Sequence, residues 1–425
     1  MNDGGEPKRT IVNAGVPSSS LREVVGKVCG RITPRELADL TYSLVRIPSP
    51  TLHEEEVSRH YYSVLDEFGL DVRLQPVDGG RSNVIGVLAG VGGGNNLLLG
   101  GHLDTISPEN CVEPRIEGNK VYGRGAEDMK GSLAAMALAA KALTICDVKL
   151  KGDLLLAGWV GHEAPLGMGE GPRLLAKEIR DGRLKVDGAV ITEGKIDSIT
   201  VAQGGMAIFK VKAEGRRGGV HTSLLQLSSN PILWMSLIIK ELHKMDKELG
   251  SKPWHRLIPE RPSIQLGTVQ GGDFYNRMPE NVEITGTIRW DPDEDFETVK
   301  KNLQERLKRT EQRIKHELDP SAKIGLNMRM IRDSYELDEA EDLPQKLRDA
   351  SILVTGEDLN VTGIRVVTDL SILGGEGGVP TVAYGPSMRG ETTAHSDNEW
   401  IDSERLARVA RTLVALAILY CGVEN

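Results

Sequence analysis

From Asn83 onward the chain sets short apolar runs against helical segments, in the order NVIGVLAG, NNLLLGGHLDT, GSLAAMALAAKALTI, DLLLAGWV, GPRLLAKEI and VDGAVIT. Short apolar runs bounded by glycine and polar turns read as buried strands, and the longer segments between them as helices. A chain built this way folds as an α/β unit, with helices packed on both faces of its sheet. Before this pattern, Thr33 to Val45 reads as a helix with Thr33 as N-cap and Pro34 in its first turn, and residues 1–30 read as a loose leader.

The rhythm changes near Gly204. MAIFKVKAEG alternates as a strand, Pro231 to Leu249 forms a long amphipathic helix, SIQLGTVQGG and ENVEITGTIRW are two more strands, Asp293 to Leu318 is a charged helix, and AKIGLNMRMI is a last strand. The order β-α-β-β-α-β is that of a compact ferredoxin-like unit. TGIRVVTDLSIL and VPTVAYG then return to the first style, and Ser403 to Tyr420 closes the chain as a helix. The organisation is therefore one α/β domain, residues 31–204 and 334–425, interrupted by a smaller α+β domain at 205–333.

Bulk composition narrows the partners. With 39% hydrophobic residues among 425, the chain can bury a large core. A net charge of −9 and the lack of a Lys/Arg cluster argue against nucleic acid and anionic lipid as partners. The N-terminus MNDGGEPKRTIVNAG has no apolar signal core and no run is long enough to span a membrane, so a cytoplasmic location is the expectation. Cys29, Cys111, Cys146 and Cys421 lie far apart without CxxC spacing, which points to reduced thiols rather than a thiolate zinc site or a disulfide framework.

Ligand-type side chains stand at the ends of several expected strands: His102 and Asp104 in GGHLDT, Asp128 in GRGAEDMKG, His162 and Glu163 in GHEA, Glu193 in ITEG, and His395 in TTAHSDNEW. Open α/β sheets build their sites at the carboxyl ends of strands, so these segments can converge although they are far apart in sequence. Imidazoles and carboxylates without thiolates suit zinc or a similar first-row divalent ion. Residues two apart in an extended chain face the same side, so Asp104 is placed to hydrogen-bond and orient the His102 ring. Each residue also has an ordinary structural reading: His102 filling a tight turn beside Gly100 and Gly101, Asp128 capping the helix after it, Glu193 as a polar loop residue.

Taken in order, GGHLDT, GRGAEDMKG, the acidic strand end after GDLLLAGWV, and YGPSMRGETTAHSDNEWI resemble the signatures of the metallopeptidase family of acetylornithine deacetylase, succinyl-diaminopimelate desuccinylase, aminoacylase-1 and glutamate carboxypeptidase. The resemblance runs from about residue 35 to the end. It implies a zinc-exopeptidase-like α/β catalytic domain with an inserted ferredoxin-like lid and dimerisation domain. It also implies two divalent ions, zinc first with cobalt or manganese as substitutes, bridged by an aspartate and a water. By the same resemblance, His102, Asp128 as the bridge, Glu193 and His395 are metal ligands, and Asp104 stands behind His102. In RRGGVHTS, His221 matches a histidine that reaches the partner subunit's site to stabilise an oxyanion, and Asn276 and Arg289 match positions that hold a substrate carboxylate.

At one place the pattern fails. The family has two consecutive glutamates after the strand, a general base and then a metal ligand, whereas this chain has His162 and Glu163. Counting back to Gly152 or forward from Asp128 makes Glu163 the ligand and leaves His162 at the base position. Counting back from the following helix makes Glu163 the base and puts Ala164 where the ligand belongs.

The expected function is hydrolysis of an N-acyl amino acid next to its free carboxylate, in a homodimer acting on small molecules. A dipeptidase or carboxypeptidase activity is the alternative within the family, and a catalytically impaired metal- or ligand-binding homologue is the alternative outside it.

Overall fold

The computed structural model describes residues 19–215, 219–388 and 390–424. A nine-stranded mixed sheet forms the centre, with strands in the order Asp71–Asp78, Arg81–Leu88, Leu154–Trp159, Leu97–His102, Gly188–Ile191, Thr381–Ala383, Ser198–Gln203 and Tyr335–Glu336, and with Asn360–Ile364 also paired to Ser198–Gln203. Its middle, from Leu154–Trp159 through Leu97–His102 and Gly188–Ile191 to Thr381–Ala383, is parallel. Every residue of Leu97–His102 and Leu154–Trp159 is buried, because alternate side chains enter two different cores. Leu97, Leu99, Leu154 and Leu156 join one core with the helices Pro34–Val45, Gly131–Ile145 and Ser403–Cys421. Leu98, Leu155, Ala157 and Trp159 join the other, with the helix Glu170–Arg180.

The helix Gly131–Ile145 is apolar on nearly all sides and packs in the interior against Ser403–Cys421. Thr33 caps Pro34–Val45, its hydroxyl accepting from the Glu36 amide. The expected leader needs correction: residues 1–18 lie outside the described residues, but Ser19–Cys29 is a helix rather than loose chain. Val25 and Val28, three apart on one face, are buried in the main core, with Leu21 and Val24 packed against it.

The segment Gly205–Arg332 forms its own four-stranded antiparallel sheet, in the order Ser263–Gly271, Asn281–Trp290, Gly205–Glu214, Lys323–Arg332. Alternation along Asn281–Trp290 sends Val282, Ile284, Ile288 and Trp290 inward against the helices Pro231–Ser251 and Phe296–Glu317. This is the ferredoxin-like arrangement. Ser263–Gly271 is its edge strand and lies largely exposed. All four cysteines are free, and no helix of the described residues is long and apolar enough to cross a membrane.

Candidate metal centre

The parallel strands deliver the site. His102 is the last residue of Leu97–His102, His162 and Glu163 follow Leu154–Trp159, and Glu193 follows Gly188–Ile191. All leave the sheet at carboxyl ends, where adjacent strands release their loops to one side. Two glycines precede His102 and leave room for its neighbours. A side chain on Gly100 would meet the Trp159 indole at 2.3 Å, and one on Gly101 would meet Met129 Cε at 2.1 Å. The pair therefore serves close packing inside a strand, not a tight turn.

Asp128 lies in the turn Ala126–Lys130 and does not cap a helix: its φ and ψ of −123° and 91° are non-helical, and the helix begins at Gly131. One carboxylate oxygen lies 3.0 Å from His102 Nε2 and the other 3.3 Å from His395 Nε2. His395 is a left-handed residue, φ 64°, on the loop before Trp400–Asp402, and its Nε2 is also 3.1 Å from Glu163 Oε1. Asp128 thus faces two imidazoles supplied from 293 positions apart in the chain (395 − 102).

Asp104 acts differently from expectation. Its carboxylate does not hold the His102 ring, since Oδ1 is 3.8 Å from Nδ1; the backbone carbonyl of Asp104 accepts from Nδ1 at 2.7 Å instead. The side chain is turned to the strand end opposite, where Oδ1 accepts the His162 amide at 3.0 Å and Oδ2 the Glu163 amide at 2.8 Å. Thr51 Oγ1 donates to the same carboxylate. The strand ends at His102, so the two-residue rule for extended backbone no longer governs the Asp104 side chain.

Donor atoms of His102, Asp128 and Glu163 all lie within 4.8 Å of one another, and so do those of His102, His162 and Glu193. The charges fit cations. Burial tends to raise the Asp128 carboxyl, but hydrogen bonds with His102 and His395 hold it well below the usual range. Hydrogen bonds to Asp128 and Glu163 push His395 up to about 10, and burial pushes Glu193 up to about 7. Imidazole protons balance the carboxylates here, as divalent ions would. Nitrogen and oxygen donors without sulfur are the set that zinc, cobalt or manganese takes.

Several supporting residues carry no signal that spacing alone reveals. Buried Glu399 accepts the Glu127 and Asp128 amides on one oxygen, both at 3.0 Å, and Arg124 on the other at 2.8 Å. It stands in HSDNEW, four residues after His395. Lys130 donates to the carbonyls of Leu44 and Ile47, tying the site turn to the helix Pro34–Val45, and burial lowers it to about 7. Asp369, in VTDLSIL, accepts from His162 Nδ1 at 2.9 Å.

The residues expected from the inserted unit do not all meet. His221 Nε2 is 2.6 Å from the Asn276 amide nitrogen, with His221 exposed and Asn276 half-buried. Arg289 lies near the other end of the strand Asn281–Trp290, half-buried, where it donates to the Arg365 carbonyl at 2.8 Å. Asn276 and Arg289 therefore do not form one carboxylate clamp within a single chain.

A mixed α/β sheet whose strand ends gather imidazoles and carboxylates, with a ferredoxin-like insert, defines a metallohydrolase of linear amide bonds. The profile of the peptidase family M20/M25/M40 matches residues 98–418, and the chain belongs to that family. It is 25% identical over 419 residues to an N-formyl-4-amino-5-aminomethyl-2-methylpyrimidine deformylase of Halalkalibacterium halodurans, covering 92% of this chain and 95% of the relative. It is 27% identical over 405 residues to a probable succinyl-diaminopimelate desuccinylase of Staphylococcus epidermidis, covering 86% and 92%. An M20 family metallo-carboxypeptidase of Sulfolobus solfataricus has the same fold, with a TM-score of 0.73 at 16% identity over 91% of this chain and 99% of that one.

Proposed function

We propose that the chain is a deacylase that removes a small acyl group from an amino acid bearing a free carboxylate, using two divalent ions, zinc first. The observation that carries this reading is the pair of imidazoles facing the two oxygens of Asp128, with Glu163 beside His395. In this reading His102 and Glu193 would hold one ion, Glu163 and His395 would hold the other, and Asp128 would serve both. The contact between Glu163 and His395 favours the register in which Glu163 is a ligand, leaving His162 where the family carries its general base.

When bound, such a pair of ions polarises a carbonyl and supplies a water acidic enough to attack near neutral pH. The protein's share is positioning. Asp104 fixes the backbone of His162 and Glu163, and Glu399 fixes that of Asp128. His221, already paired with Asn276, would donate to the oxyanion from a second copy of the chain. Arg289 offers a planar fork suited to the substrate carboxylate once the insert closes and releases it from Arg365. A homodimer would form through the exposed edge strand Ser263–Gly271, whose Leu266 and Val269 face solvent.

Two relatives are named for releasing an acyl group from an amine, a formyl and a succinyl group, which favours a deacylase over an exopeptidase. The test is amine release by the zinc-loaded chain from N-acetylornithine, N-succinyl-diaminopimelate, N-acetyl-lysine and N-formyl amines, set beside a panel of dipeptides. Turnover confined to dipeptides would reject the deacylase reading, and no turnover on any of them with metals loaded would favour a binding role.

A further inference from the structure

His162 stands where the family has a carboxylate, and its surroundings are built for an imidazole. Nδ1 donates to Asp369 Oδ2 at 2.9 Å, since an ionised carboxylate only accepts. In the neutral ring that places the proton on Nδ1 and the lone pair on Nε2. Asp369 is itself locked: Trp159 Nε1 donates to Oδ2 at 2.7 Å, and Arg332 donates to Oδ1 through Nε at 3.1 Å and Nη2 at 2.9 Å. Asp369, Arg332 and Trp159 are all almost fully buried. The His162 ring lies flat on the His102 ring, centroids 4.3 Å apart with 7° between planes.

A carboxylate that holds one imidazole nitrogen while the other faces a donor cluster is the arrangement that orients metal-binding histidines. The other members of that cluster are His102 and Glu193. Two histidines and a glutamate, with a position left open, form a donor set used by catalytic zinc sites. We propose that His162 is a metal ligand, the third imidazole of the centre, joined to the His102 and Glu193 ion and oriented by Asp369. The family's base position would then be spent on coordination, and Asp369, with Arg332 delivered by the last strand of the insert, would be positioning residues for it. The inference rests on the reading of this cleft as a two-metal centre.

Metal binding tests it without reference to turnover. The full-length chain is stripped, reloaded with zinc or cobalt, and measured for stoichiometry, affinity and imidazole content by X-ray absorption. His162→Ala should lower the imidazole count from three to two per ion pair and weaken one of the two ions. Asp369→Asn should weaken the same ion by about 10 to 100-fold, the range seen when such outer carboxylates are removed. His162→Glu should retain both ions and make Asp369→Asn without further effect on affinity, which a merely structural Asp369 would not do. Thermal unfolding of each variant without metal separates a folding defect from a lost ligand. A wild-type chain with two ions whose His162→Ala variant binds both with unchanged affinity and imidazole count overturns the inference alone. A wild-type chain that does not bind two ions overturns the two-metal reading as well.

Discussion

Glu399 and Asp128, 271 residues apart, are joined through the backbone: one oxygen of the buried Glu399 carboxylate accepts the Asp128 amide at 3.0 Å while also accepting that of Glu127. The other oxygen neutralises buried Arg124. Removing the carboxylate by Glu399→Ala would strand a cation and two amides. Loss of one partner from a buried ion pair costs about 3–5 kcal/mol, and urea unfolding of the metal-free chain should register a loss of that order. Because the same change frees the turn that carries Asp128, zinc affinity should fall with it. Unchanged stability would mean that water replaces the carboxylate.

Gly101 and Met129 meet so closely that space, rather than backbone conformation, dictates the glycine. A Cβ at Gly101 would fall 2.1 Å from Met129 Cε and 2.8 Å from Sδ. Gly101→Ala should therefore cost about 1–3 kcal/mol by overpacking and displace the turn next to Asp128. Adding Met129→Ala removes the obstructing atoms, so the double variant should be less damaged than the sum of the single changes. Additive losses, measured as unfolding free energies, would show that the two positions do not compete for space.

How much of this was legible follows from which interactions are local. The parallel strands and the alternating strands of the insert announce themselves because burial imposes a periodicity on neighbouring residues. His102, Asp128, Glu163 and His395 were readable as strand-end or motif residues, and they come together. Glu399, Asp369 and Arg332 were not, because their partners lie 271, 207 and 37 positions away and a buried carboxylate looks like an exposed one in sequence. The spacing of His102 and Asp104 predicts a contact, but the Asp104 carbonyl makes it in place of the carboxylate, because the strand ends at His102. The helix Ser19–Cys29 is hard to read because its apolar stripe, Leu21, Val24, Val25 and Val28, is short and follows a run of serines.

Metal entry should release protons. Contacts with Asp128 and Glu163 push His395 up to about 10 in the metal-free chain, from an ordinary 6.5. A raised pKa on a base means the imidazolium is the form present at pH 8, whereas an unperturbed imidazole would already be neutral. Ligation needs the neutral ring, so zinc must displace that proton, and affinity should fall about tenfold per pH unit below 10 for each proton displaced. Adding zinc to the stripped chain in weak buffer at pH 8 should acidify it by at least one proton per ion pair. His395→Asn should abolish this proton. No release at pH 8 would place the His395 pKa near its ordinary value.

His221 offers a direct test of whether the site is completed by a second chain. It is exposed on the insert, paired with Asn276 and away from Arg289 at the strand's other end. If it donates to the oxyanion, His221→Ala should lower kcat by about 10²–10³ with little change in KM, the usual cost of one such donor. Supplied in trans, it should also complement. An inactive chain carrying His102→Ala still presents His221, and a chain carrying His221→Ala still has an intact metal centre. Mixing and refolding the two should restore activity through mixed dimers, while each alone stays inactive. Failure to restore activity in mixed dimers, or full activity of a monomer measured by sedimentation, would place His221 in its own chain's site or outside the reaction.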